Sequence, residues 1–140
     1  MRLDDLKAFI LANIGPFIAA RSTPAIPLSG FSDATVVLRE WKEPSQEKLL
    51  FLDPQPDQVE AGTNRVSYVT ETIDAYVIVT RGAKEETLRE QAKGYLAALV
   101  DCMKTHPDYM EFRGREYYDG IEGKPDGKGA KTTLVFGYEE

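Results

Sequence analysis

Cys102 and His106 are the only cysteine and the only histidine of the chain, and they stand four residues apart. On a helix that spacing puts two side chains on one face, where a thiolate and an imidazole could act as nucleophile and base. His106 directly precedes Pro107, however, where a helix should already be ending. Cys102 lies in an apolar run with Val100 and Met103, the setting of a core thiol rather than a reactive one. One cysteine and one histidine also cannot build a Cys/His metal site on their own.

A second candidate is VIVTRGAKEET, residues 77 to 87, where an apolar strand runs through Gly82 into a charged helix. Phosphate loops need several glycines, so that successive backbone N–H groups can approach the anion, and a Lys or Ser/Thr at a fixed offset. Here one glycine is followed by Glu85 and Glu86. Those acids already match the positive end of the helix dipole and would repel phosphate, so the turn reads as a chain reversal.

The remaining polar groups give no catalytic set. Asp53, Asp57 and Glu60 share a loop but lack the ordered ligand spacing of a calcium site, and Pro54 and Pro56 stiffen it. Glu40 with Glu43, and Glu85 with Glu86, read as exposed charges. Trp41, Tyr117 and Tyr118 could stack on a ligand but read as strand residues packed on neighbours. Lys124, Lys128 and Lys131 make a terminal hairpin locally basic, diluted by Glu122 and Asp126. With a formal net charge of −6, no specific nucleic-acid partner is expected.

The elements that would position these groups follow from periodicity. The 140 residues, 42% hydrophobic and 29% charged, suit one globular domain with its own core. No apolar stretch reaches the length of a membrane span, and MRLDDLKAFILANIG does not read as a signal peptide. The lone cysteine suits a reducing compartment. Leu3, Leu6, Phe9, Ile10 and Ile14 predict a helix over 3–14, stopped or turned at Gly15-Pro16. Residues 21–33 carry two prolines yet hold Ile26, Leu28 and Phe31, so the connection should pack against something. Strands are expected at 34–41 and 48–52, followed by a protruding loop or flap over 53–64.

The strongest strand signal runs from Arg65 to Thr80, with its end buried on both faces and a bend or bulge expected near Thr70 to Thr72. Leu88, Ala92, Tyr95, Leu96, Leu99 and Met103 predict a long helix over 84–105. From Glu116 a hairpin is expected, its tip at the Pro-Asp-Gly signal of KPDGKG, Lys124 to Gly129. The order helix, strands, helix, hairpin predicts a single α+β domain, 1–140. Its sheet should be mostly antiparallel, with an N-terminal helix and one long helix packed on one face.

The run TETIDAYVIVTRGAKEETLREQAKGYLAALVDCM and the closing KGAKTTLVFGYEE resemble the tail-terminator or tail-completion proteins of long-tailed bacteriophages and prophages. In that family a strand opening near a Thr/Glu pair enters an apolar stretch. A helix with small residues and leucines follows, and the chain closes on a strand with an aromatic near its end. The likeness covers the last half of the chain well and the first half in the order of elements. Segments 21–33 and 53–64 have no counterpart in the pattern.

The resemblance implies a non-enzymatic structural protein of the virion tail, assembled in the host cytoplasm, without cofactor or metal. Such proteins form homo-oligomeric rings, commonly hexamers, that end tail-tube polymerisation and join the tail to the head connector. Its partners would be further copies of itself, the tail tube protein and the head–tail connector protein. A closed ring needs a heterologous interface. Candidate contact residues lie in the two polar loops and at the start of the long strand: Asp53, Asp57, Asn64, Arg65, Lys124, Asp126 and Lys128. Two other readings compete. One is a small bacterial ligand- or protein-binding α+β domain with no virion role. The other is an enzyme built on Asp, Glu or Tyr, which a carboxylate with a strongly raised pKa in a cleft would support.

Overall fold

Apolar side chains at helical spacing build the first layer. The computed structural model describes residues 3–39, 48–62, 65–80, 84–108, 110–121 and 124–139, with the backbone alone at 121, 124–126 and 139. Helix α1 (Leu3–Asn13) buries Leu3, Leu6 and Ile10 and carries Asp4 and Asp5 in its first turn, where the dipole favours them. The chain turns at Ile14 and starts α2 (Gly15–Arg21), whose Pro16 sits in the first turn, where a missing N–H costs nothing. The long helix α3 (Glu85–Met103) buries Leu88, Ala92, Tyr95, Leu96, Leu99 and Met103, the face expected from the sequence.

The second layer is a sheet of six strands among the described residues: β1 (Val36–Leu38), β2 (Lys48–Pro54), β3 (Gln58–Ala61), β4 (Ser67–Val79), β5 (Glu111–Ile121) and β6 (Lys124–Glu139). Its order is β1-β2-β4-β6-β5, with β3 paired to β4 beyond the end of β2. Only β1 and β2 run parallel; the other pairs are antiparallel. This is an α+β fold with an N-terminal helix. Leu50, Val77 and Ala130 form one cross-strand row, and Leu52, Ala75 and Thr132 the next. These rows face the helices, with α3 lying over β4 and β6. Leu49, Phe51, Ile78 and Val135 on the opposite face are buried as well, so the end of β4 is covered on both sides as its continuous apolar run predicts.

The connection between α2 and β1 is pinned down by its apolar residues and its backbone. Leu28 lies against Gly94 of α3, and Phe31 meets Tyr95 edge-on at 5.3 Å between ring centres. The Ser29 N–H donates to the Tyr95 hydroxyl at 3.0 Å, and Gln91 Nε2 donates to the Pro27 carbonyl at 2.7 Å. Lys48, only 9% exposed, donates from β2 to the Ser29 carbonyl at 2.7 Å and to the Ser29 hydroxyl. Its ammonium stands 5.3 and 5.2 Å from the ring centres of Phe31 and Tyr95.

Four expectations are corrected. The strand expected over 34–41 is the short β1, preceded by a 3₁₀ turn at Asp33–Thr35; residues 40 and 41 lie outside the described residues. No bulge interrupts β4, because its register with β6 is unbroken from Tyr68 to Val79. What changes along it is the neighbour, β3 beside Ser67–Thr70 and β2 beside Ile73–Val79. The loop over 53–64 is instead the end of β2, a short link and β3, so β3 and β4 form a hairpin.

Finally, Lys124 to Gly129 is strand, not hairpin tip, with Lys124 opposite Ile121; residues 122 and 123 lie outside the described residues. Pro125 is tolerated there because β4 ends opposite Lys128, leaving β5 as the neighbour of 124–127. The irregularities of register fall in β5 instead, between Arg113 and Glu116 and between Asp119 and Ile121, with positive φ at Gly114 and Gly120.

Candidate functional site

The groups singled out for chemistry are dispersed by the fold. Cys102 is fully buried, and burial pushes its thiol up to about 11, far from a reactive thiolate. His106 stacks edge-on against Phe9 at 4.5 Å, and its Nδ1 accepts the Asp108 N–H at 3.0 Å. Asp53 accepts from its neighbour Gln55 at 3.1 Å, and among the described residues no three His, Cys, Asp or Glu side chains converge as metal ligands. Gly82, Trp41, Glu40 and Glu43 lie outside the described residues. Tyr118 belongs to a ring row with Tyr76, at 6.5 Å, which in turn meets Phe51 at 5.8 Å.

The basic patch expected at the terminal hairpin does not form as such. Lys128 is 3% exposed, and its ammonium meets Glu85 at 2.6 Å and Asp119 at 3.2 Å. Arg89 joins at 3.2 Å from Asp119, so the group ties the first turn of α3 to β5 and β6. The hydrogen bond from Lys128 is the main reason both carboxyls sit below their ordinary range, and the Glu85 partner raises the lysine in return. Lys128 therefore holds the subunit together and offers no side chain to another. Lys131 lies 3.5 Å from Asp74 and over the Tyr76 ring. The side chains of Lys124 and Asp126 are outside the description.

The other candidates fall on one feature, an arm formed by the link after β2, β3 and the start of β4. All four residues of β3 are exposed, and Asp57 just before it is exposed too. Asp53 is half-buried at the base, Arg65 is exposed with a left-handed backbone (φ 66), and Asn64 lies outside the described residues. The arm exposes apolar side chains on both of its faces: Val59 (61%) and Tyr138 (42%) lie in the row of Val69, while Tyr68 (47%), opposite Glu60, is on the other face. Gly62 closes the hairpin because a Cβ there would stand 2.7 Å from the Val66 carbonyl oxygen. A cavity of about 280 Å³ at the arm's base is lined by Asp4, Arg39, Gln55, Asp57 and Glu71 among others.

A second surface, missed in the sequence, lies at the far edge of the sheet. An open groove of about 520 Å³ runs between α2, α3 and β5. Its floor is Ala20, Gly94 and Ala97, and its rim carries Arg21, Glu90, Lys93, Arg115 and Tyr117. Arg21 pairs with Asp101 at 2.6 Å, and Lys93 meets Glu90 at 3.6 Å and stands over the Tyr117 ring at 5.2 Å. Arg115 makes no ion pair among the described residues. That charged side chains from α2, α3 and β5 would meet above the small residues Gly94 and Ala97 was not legible in the sequence.

Against known proteins, the chain matches no family model and no curated sequence.

Proposed function

We propose that this protein is a structural component of a phage or prophage tail, which assembles with copies of itself into a ring at the end of the tail tube. The ring would stop tube polymerisation and offer the head connector its docking surface. The observation that carries the reading is the β3–β4 arm, whose short strand β3 is exposed at all four residues and which leaves Val59 and Tyr68 exposed on opposite faces. A strand with an open edge and exposed apolar residues is a natural site for pairing with another chain. The order of elements and the run from Thr70 to Met103 add the resemblance to tail terminators. The alternative, a ligand-binding domain with no virion role, draws on a deep apolar pocket. The two concavities described above are instead rimmed by charged side chains.

The test is light scattering on a sizing column across a range of concentration, with negative-stain images of any large species. Closed rings, and retention of the protein on purified tail tubes, are the expected result. A chain that stays monomeric and ignores tail tubes would overturn the proposal.

A further inference from the structure

We propose that two copies of this chain pair in solution through the open edge of β3, antiparallel about a two-fold axis, with Val59 opposite Val59 of the second copy. The outer strands of the sheet differ in how their free edges are treated. β5 shifts register twice, holds Gly114 and Gly120 at positive φ, and spends the Gly114 carbonyl on the Thr132 hydroxyl at 2.8 Å. β1 has three residues, and Lys7 takes the Val36 carbonyl at 2.8 Å. Bulges, shortness and engaged backbone groups keep an edge from pairing with another chain. β3 shows none of the bulges: its register with β4 is regular over Gln58–Ala61, it holds no proline or lysine, and every residue is exposed. Among the described residues it pairs with β4 alone.

The backbone decides which groups face outward. The Gly62 N–H donates to the Val66 carbonyl at 2.7 Å, and these two residues stand opposite each other when the β3–β4 register is continued. Bonded positions alternate in an antiparallel pair, so Gln58 and Glu60 turn their backbone groups toward β4, while Val59 and Ala61 turn theirs outward. A second β3 centred on Val59 sets outward groups against outward groups. Val59 bonds Val59 and Ala61 bonds Asp57, about six hydrogen bonds in all.

Side chains fit the same register, and this self-complementarity names a second copy as the occupant. The two-fold stands perpendicular to the joined sheet and keeps the helices of both copies on one side. On that side Val59, 61% exposed, continues the row of Val69 and Tyr138 into the same row of the second copy, and both Val59 side chains leave water. On the other face Glu60 stands opposite Gln58, an acceptor facing an amide donor. Antiparallel alignment turns Arg65, at the tip of one arm, toward Asp53 and Asp57 at the base of the other. The two Glu60 carboxylates are diagonal neighbours at about 7–8 Å and oppose the pairing. A two-fold contact closes at two copies, so the inference does not rest on the ring reading. A copy paired in this way has its arm edge occupied and withheld from other chains.

So short a strand makes a weak contact, so sedimentation should show wild type passing from monomer to dimer between about 10 μM and 1 mM. Val59→Pro removes an N–H that points away from β4 and sets its ring on the pairing edge. It should abolish the dimer while circular dichroism melts show a folded chain. Val59→Cys reads the register: across a bonded antiparallel pair the Cα atoms stand about 5.5 Å apart, within reach of a disulfide. Oxidised glutathione should link this variant into dimers and leave Ala61→Cys, which lies opposite Asp57, unlinked; the buried Cys102 does not compete. If Val59→Pro unfolds the arm, the cysteine comparison decides. A dimer that survives Val59→Pro with the chain folded, equal linking of the two cysteine variants, or a wild type monomeric throughout that range would each overturn the interface. Binding to tail tubes is measured separately, so failure of the tail reading and failure of this pairing are told apart.

Discussion

Replacing Lys48 by methionine keeps the aliphatic stem in place and deletes the buried ammonium. Three contributions then compete. The bond to the Ser29 carbonyl, at 2.7 Å, is charge-assisted and worth about 1.5–3 kcal/mol. The ring faces of Phe31 and Tyr95, a little over 5 Å away, add about 1 kcal/mol for a cation screened from water. Against both stands the cost of keeping an ammonium out of solvent, which the substitution removes.

Because the Ser29 carbonyl is left without that donor, the loss should win. We expect a net destabilisation of about 2 kcal/mol, or a fall in Tm of about 4–8 °C for a chain of this size. Urea unfolding followed by circular dichroism would show a lower midpoint with an unchanged slope. Amide exchange should rise first at Ser29, whose N–H donates to the Tyr95 hydroxyl of α3. A variant as stable as the wild type, with Ser29 still protected, would refute the view that Lys48 pins the connection between α2 and β1.

Glu85 and Asp119, held below their ordinary values of 4.5 and 3.8 by Lys128, contribute stability above those values and lose it as pH falls through their lowered folded-state values. Lys128→Met should therefore cost stability at neutral pH, and the gap from wild type should narrow in acid; a gap independent of pH across the acid limb would count against the pairing. The Cys102 thiol, raised to about 11, should resist a thiol reagent at about pH 8 in the native protein and react fully in denaturant. Prompt native labelling would contradict its burial. Gly62→Ala must push a methyl against the Val66 carbonyl and should cost about 1–3 kcal/mol, confined to the hairpin. Exchange should accelerate in β3 and the start of β4 while β2 and α3 stay protected; uniform acceleration would show that the arm is part of the core.

Strong periodicity made α1, α3 and β4 readable, whereas α2, only seven residues long and begun at Gly15-Pro16, was not. Leu88 to Met103 forms one stripe, and nothing in its tertiary surroundings competes with it. Segment 53–64 failed because Pro54, Pro56 and Gly62 were weighed above the alternation Gln58-Val59-Glu60-Ala61, which is the period of a strand. At KPDGKG the local turn preference is real but yields to pairing. Lys128 opposite Val79 and Asp119, with its ammonium on Glu85, holds that segment in the sheet. No local pattern encodes such a pairing, nor the meeting of Arg21 and Arg115, which are far apart in sequence and come from different layers. The candidate site was thus legible in part: the polar segment carrying Asp57 and Glu60 stands out in the sequence, while the groove between α2, α3 and β5 does not.

The position of β6 has a consequence for how the chain comes together. It is the last strand in sequence, yet it lies between β4 and β5. During synthesis β4 therefore emerges, followed by α3 and β5, while its long inner edge still awaits a partner, and β5 has nothing to pair with until residues 124–139 arrive. Contacts between β4 and β6 span the whole of α3 and β5, a high contact order that slows folding and lengthens the time for which open strand edges are exposed. Until residues 124–139 arrive, those open edges are a route to mispairing with other chains. Insertion of β6 between β4 and β5 is the step that turns both edges into the interior of one sheet.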